Sequence, residues 1–153
     1  MRLGIISDTH GLLRPEAVNA LQGVNLIVHA GDVGDPEILV KLKTIAPVFA
    51  VRGNVDTQPW AKELPESTIV EANGSSFYVL HNLQHLDLRP EAAGFRAVIS
   101  GHTHEPKQYE RNGVLYLNPG SAGPRRFHLP VTLAILEVTG KPLHAEILPL
   151  LPS

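Results

Sequence analysis

No cysteine occurs in the chain, which excludes a disulfide framework and every thiolate metal site. Any metal must be held by histidine, carboxylate or amide oxygen, a donor set for ions harder than structural zinc. Charge of one sign is also missing. The net charge of -2 gives no global attraction to nucleic acid or to an anionic membrane, and no stable complex with either is expected. No segment approaches the roughly 18 continuous apolar residues of a membrane span, and the apolar run after Met1 is too short for a signal-peptide core. The expectation is a soluble cytoplasmic protein, and its composition is compatible with a homo-oligomer. Neither a Gly-x-x-x-x-Gly-Lys loop nor a Gly-x-Gly-x-x-Gly turn follows the first apolar run, which argues against a nucleotide-binding module. Internal repeats, low-complexity tracts and linkers are absent, and 153 residues suit one domain over 1–153 whose core needs no cross-link.

What the chain does have is a series of short apolar runs with polar stops. Arg2–Ser7 reads as a strand, and Ala17, Val18 and Leu21 give Arg14–Gln22 a helical stripe. Strand and helix recur in Asn25–Ala30 and in 35–44, where Asp35 caps, Pro36 takes the first helical position and Glu37 sits in the first turn. Val48–Val51 is a third run. Alternation of this kind predicts a mostly parallel sheet. The second half differs, because Asn73-Gly74 and Asn112-Gly113 each stand between apolar or β-branched runs, as two-residue hairpin turns do. Strands are predicted at Ala97–Ser100, Thr132–Val138 and Leu143–Leu150, the last reached through Gly140-Lys141. Antiparallel pairing is expected to dominate there, giving two sheets packed face to face with helices outside.

The stops carry the chemistry: Asp8-Thr9-His10, Gly31-Asp32, Gly53-Asn54, His81 and Gly101-His102-Thr103-His104. Each follows an apolar run, and the carboxyl ends of strands in an α/β sheet open on a common crevice. The i,i+2 pairs Asp8/His10 and His102/His104 put both side chains on one side of an extended segment. Glycine before Asp32, Asn54 and His102 permits a sharp turn or a close approach. Taken singly, Asp8 reads as a capping residue, Gly53-Asn54 as a turn and the histidines as ordinary strand-end residues. Those separate readings do not account for five such stops in this order.

With Asn118-Pro119-Gly120-Ser121 added, this ordered set resembles the calcineurin-like metallophosphoesterases, in particular their small bacterial and archaeal phosphodiesterase branch. The resemblance runs through nearly the whole chain. It implies an α/β fold, a four-layer αββα sandwich of two mixed β-sheets flanked by helices. It also implies two divalent metal ions, Mn favoured, with Ni, Fe or Zn as alternatives. Asp8, His10 and His104 would bind one ion, Asn54, His81 and His102 the other, and Asp32 would bridge them. Two ions about 3.5–4 Å apart clamp a phosphoryl group and activate water for in-line attack on phosphorus. The implied activity is hydrolysis of a small phosphoester, a diester above all, with Asp32, Asn54 and His81 serving catalysis and Asn54 also facing substrate. A phosphomonoesterase or nuclease would use the same centre. A reading from another class is a non-catalytic protein-binding scaffold, as in the retromer subunit of this fold. Degraded ligands are expected in a scaffold, whereas all seven positions here hold metal-competent residues.

The chain also departs from the family pattern. The family commonly has His after the metal-binding Asn, near the leaving group, and here that residue is Val55. Leaving groups that need little protonation, such as aryl groups, are therefore expected to react fastest. Asn82 stands where the family commonly has Gly, which makes His81 the least secure ligand. His85, close by, is read as a plain surface-loop residue, with action at the leaving group or substitution as a ligand as the alternatives. Arg125 is assigned to substrate binding and Arg126 lies beside it, since a guanidinium can grip a phosphate; solvated loop charge is the alternative reading of both. Asp56 is expected to order the Gly53-Asn54 loop, and Trp60 to pack or to cover an aryl group. His29 is expected to be a hydrogen-bonded interior residue, and His128 and His144 fall outside the site.

Overall fold

A computed structural model describes residues 1–140 and 142–152 of the chain. Lys141, half of the connection predicted at Gly140-Lys141, lies outside the described residues, as does Ser153. The first sheet combines β1 (Arg2–Ile6), β2 (Leu26–His29), β3 (Val48–Ala50), β9 (Thr132–Glu137) and β10 (His144–Pro149), in the order β10-β9-β1-β2-β3. β1, β2 and β3 run parallel, as strand and helix alternation requires, and β9 joins β1 antiparallel. Helices α1 (Pro15–Ala20) and α2 (Pro36–Lys43) make the crossovers. α2 begins as its sequence indicates, with the Asp35 side chain accepting from the Glu37 amide and Pro36 in the first turn.

The second sheet has the order β4-β5-β6-β8-β7, with β4 (Ser67–Ala72), β5 (Ser75–Leu80), β6 (Ala97–Ile99), β7 (Lys107–Arg111) and β8 (Val114–Asn118). Both expected hairpins form. Asn73 and Gly74 have φ 50° and 79°, and Asn112 and Gly113 have φ 52° and 78°, the double positive φ that matches the twist of paired strands. The expectation of mainly antiparallel pairing needs one correction: β6 lies between two parallel partners, β5 and β8. Ala97, Val98 and Ile99 are all buried, as suits a parallel strand covered on both faces.

The layers follow from the apolar alternation along each strand. Leu3, Ile5 and Val28 of the first sheet meet Phe77, Val79 and Ile99 of the second in the central core. On the other face of the first sheet, Ile6, Ile27 and Ile135 pack against Leu21 of the α1 C-cap and Leu42 of α2. The outer face of the second sheet is covered more thinly. Leu83 and Leu86, in and just after a short 3₁₀ helix (Leu83–His85), pack on Val98 and Tyr116, and the one-turn α3 (Pro90–Ala93) follows in the chain before β6. The result is a four-layer αββα sandwich. The polar segments after β1, β2, β3, β5 and β6 open on one edge of it.

Candidate metal centre

Asp8 is the middle of that edge. Its carboxylate is fully buried, and its two oxygens have different surroundings. Oδ2 accepts from Ser7 Oγ at 2.7 Å and from the His102 amide at 3.1 Å. Oδ1 has no hydrogen-bond partner and faces three imidazole nitrogens: His104 Nε2 at 3.4 Å, His10 Nε2 at 3.7 Å and His81 Nε2 at 3.9 Å. His10 Nε2 and His104 Nε2 are 3.2 Å apart. Atoms bound about 2.1 Å from one tetrahedral cation stand about 3.4 Å from each other. The triangle of Asp8, His10 and His104, with sides of 3.4, 3.7 and 3.2 Å, therefore has the dimensions of three ligands to a single ion.

A second group adjoins it. Asp32 Oδ1 accepts from the Val55 amide at 3.0 Å. Its Oδ2 lies between His81 Nε2, at 3.1 Å, and His10 Nε2, at 3.7 Å. Burial pushes the Asp32 carboxyl up, but His81, the Val55 N–H and His10 outweigh it and hold the pKa at about 2. Burial works against charging His81 as well, yet Asp32 and Asp8 raise its pKa above the usual imidazole value. At His10 burial prevails and the pKa falls, with the positive charges of His104 and Arg126 acting in the same direction. The His81 Nδ1 lies 2.7 Å from Ala30 O, a bond in which the ring donates. Its Nε2 is thus the basic nitrogen turned to the carboxylates. Outward of His81, the His102 ring meets it edge-on with centroids 5.2 Å apart, and His102 Nδ1 lies 3.2 Å from Asn54 Oδ1.

All seven candidate ligands thus meet at one edge of the sandwich, but the i,i+2 pairs get there differently from the extended-segment reading. Neither pair lies in a strand, and Asp8, His10, Asp32, His102 and His104 all have φ between 47° and 75°. Left-handed backbone is costly for residues with a Cβ and collects at functional sites. The left-handed turns also part the second pair: His104 points to Asp8 and His10, while His102 pairs with Asn54. Asn82 has φ -111°, an extended conformation open to any residue, so replacing the family's glycine leaves the backbone at His81 unstrained. Asp56 accepts from the Val33, Gly34 and Gly53 amides, as a loop-ordering residue does. Trp60 packs beside α2 and donates to Gln58. Arg125 donates to Pro152 O.

Several supports have roles that spacing did not reveal. Ser121 Oγ donates to Asp8 O, and Asn118 Nδ2 donates to Gly101 O and Thr103 Oγ1. The end of β8 and the residues just after it therefore brace both the His102 loop and the Asp8 loop. The signal in the sequence was their position after an apolar run. His29 is fully buried, and Nδ1 accepts from the Gly31 amide while Nε2 faces Thr9 Oγ1 at 3.0 Å. Thr9 Oγ1 donates onward to Val33 O. A second ring proton would have to point at the Gly31 N–H. Burial lowers the His29 pKa to about 4, against about 6.5 in an unfolded chain. The folded state binds fewer protons in that window, so stability is full above pH 6.5 and is lost as pH falls toward 4. Urea denaturation of the metal-free protein is expected to show wild type losing about 3 kcal/mol more than His29→Gln between pH 7.5 and pH 4. Equal losses in the two proteins would count against a neutral His29.

An αββα sandwich with buried carboxylates and imidazoles gathered at one edge offers the donor set of a metal site. A model of the calcineurin-like phosphoesterase superfamily domain matches residues 1–141, and the chain belongs to that family. It is 38% identical to a probable metallophosphoesterase of Methanothermobacter thermautotrophicus, over 97% of this chain and 92% of that protein. The solved structure of an archaeal phosphodiesterase superposes with a TM-score of 0.80 at 26% identity, covering 97% of this chain and all of that one (100%). Vps29 of Entamoeba histolytica in complex with zinc shares the fold, with a TM-score of 0.74 at 21% identity, covering 98% of this chain and 99% of that one. Among the described residues, no helix is long and apolar enough to cross a membrane.

Proposed function

We propose that the chain is a phosphodiesterase working with two divalent ions, one held by Asp8, His10 and His104, the other by Asn54, His81 and His102, with Asp32 between them. The observation that carries this reading is Asp8 Oδ1, a buried carboxylate oxygen without a hydrogen bond at the meeting point of three imidazole nitrogens. A buried carboxylate oxygen left without a partner is costly, and a cation relieves it. His81 Nε2 is likewise buried and lacks an aligned partner. Divalent ions bound there supply Lewis acidity toward phosphoryl oxygens and lower the pKa of water. The chain's own residues do the positioning. Ser7 and the His102 amide turn Asp8 Oδ1 inward, Ala30 O sets the His81 tautomer, and the Val55 amide leaves Asp32 Oδ2 free to lie between the two groups. Exposed Asn54 forms the solvent side where a phosphate enters. The oxygen and nitrogen donors make manganese the first ion to test.

Preference for a diester is supported by the space around His102. A cavity of about 400 Å³ extends past Asn54, His81 and His102 toward Tyr78. Another, of about 610 Å³, extends past His102 toward Tyr109 and Tyr116. Both include Asn82 and His102, so two organic arms on one phosphorus have separate places to go. The test is hydrolysis of matched monoesters, diesters and cyclic nucleotides after chelation and reconstitution. Activity is expected to vanish on chelation and return with two manganese ions per chain, with diesters ahead of monoesters in kcat/KM. Faster monoester turnover would remove the diester preference. Protein holding two ions yet inactive on the whole panel would return the chain to the scaffold reading.

A further inference from the structure

The cleft beside Asn54 contains ionisable groups beyond the proposed ligands. Its walls include Arg52, Glu66, His85 and Asp87 together with His81 and His102. Arg52 Nη2 is paired with Glu66 Oε1 at 3.1 Å. His81 and His102 face the metal centre. Of the groups left, Tyr78, Asp87 and His85, imidazole is the side-chain type suited to holding and releasing a proton near neutral pH. His85 ends the 3₁₀ helix Leu83–His85, whose start is capped by Asn82 Oδ1 accepting from the Gln84 amide. The His85 amide is tied to Asn82 O at 2.9 Å, so the ring is carried on a short, hydrogen-bonded turn four residues after His81. The side chain is exposed and lines the cleft. Asn54 also lines the cleft, and the residue that follows it, Val55, has no proton to give.

We infer that this cleft receives the leaving arm of the diester and that His85 protonates the departing oxygen, making His85 a catalytic residue. This rests on the phosphodiesterase reading above. Water adds its oxygen to phosphorus and gives up a proton to solvent. The P–O bond to the leaving arm breaks with its electron pair on oxygen, the ring proton of His85 moves to that oxygen, and the ring regains a proton from solvent. The arm departs as a neutral alcohol or phenol. The inference revises the expectation drawn from Val55, since poor leaving groups then have a proton source from a different loop.

The test compares methyl 4-nitrophenyl phosphate with methyl phenyl phosphate, which share the retained arm and differ in the basicity of the leaving oxygen. His85→Gln is expected to lower kcat/KM for the phenyl ester about 100-fold and for the nitrophenyl ester less than about 3-fold, because general acid catalysis matters most where the leaving oxygen is basic. Metal content and thermal stability of the variant are expected to equal wild type, as suits an exposed side chain. A readout without turnover is the nitrogen NMR of the ring: in zinc-loaded protein, dimethyl phosphate is expected to shift the His85 resonances. Equal losses on both esters, no loss on either, or a His85 ring unmoved while His102 responds would each overturn the assignment of His85 alone. Wild-type protein inactive on both esters would instead overturn the phosphodiesterase reading on which it stands.

Discussion

Asp32→Asn is expected to bind one divalent ion in place of two and to lose about 10³-fold in kcat, since a Lewis-acid contact is worth several kcal/mol and each ~1.4 kcal/mol is tenfold. The substitution is close to isosteric. Its amide oxygen retains the bond from the Val55 amide now made to Oδ1, so the loop after Gly53 has no reason to move. What disappears is the negative charge at Oδ2, between His81 and His10. With a pKa of about 2, Asp32 is ionised throughout the working range, and in the proposed centre its charge would offset the repulsion between two nearby cations. Metal analysis and turnover on the same preparation make the check. Two ions and an undiminished rate in the variant would take Asp32 out of the centre.

Gly53→Ala is expected to lose activity about 100-fold, the cost of roughly 1 Å of misplacement at a reacting group, and about 2 kcal/mol of stability through overpacking. A Cβ at residue 53 would overlap Asp32 Oδ1 and the Asp32 backbone nitrogen. Neither can withdraw freely, because Oδ1 is held by the Val55 amide and the His10 amide donates to Asp32 O at 2.9 Å. The new methyl group therefore pushes apart the loops that supply Asp32 and Asn54. Gly74→Ala is the control: its φ of 79° strains an alanine, but a Cβ there meets open space. It is expected to lower stability with no change in kcat. If Gly53→Ala unfolds no more easily than wild type and keeps full activity, the close packing of these two loops is not what sets the site.

The same packing explains a difference between sequence and structure. The glycines before Asp32, Asn54 and His102 were expected to permit a sharp turn or an approach to an ion. At Gly53 and Gly101 the approach is between ligand loops: a Cβ on Gly101 would overlap Ser7 Oγ and crowd Asp8 Oδ2. The ligand loops are stacked on one another, so each glycine is required by a residue tens of positions away. No local pattern encodes that requirement. The left-handed backbone at Asp8, His10, Asp32, His102 and His104 was equally invisible, since none of these residue types demands positive φ.

Local signals were enough where structure is local. Short apolar runs with polar stops placed the strands, Asp35 and Pro36 started α2, and the two Asn-Gly pairs made their hairpins, because each depends on neighbours within a few positions. The residue types at the stops also limited the chemistry to imidazole, carboxylate and amide donors, with thiolate excluded. Tertiary structure alone decided that β6 lies between parallel partners and that Gly53 and Gly101 pack against Asp32 and Ser7. It also left one Asp8 oxygen tied to Ser7 and the other bare among three imidazoles. Those outcomes depend on distances between loops from separate strands, and such distances exist only once both sheets have closed on their common core.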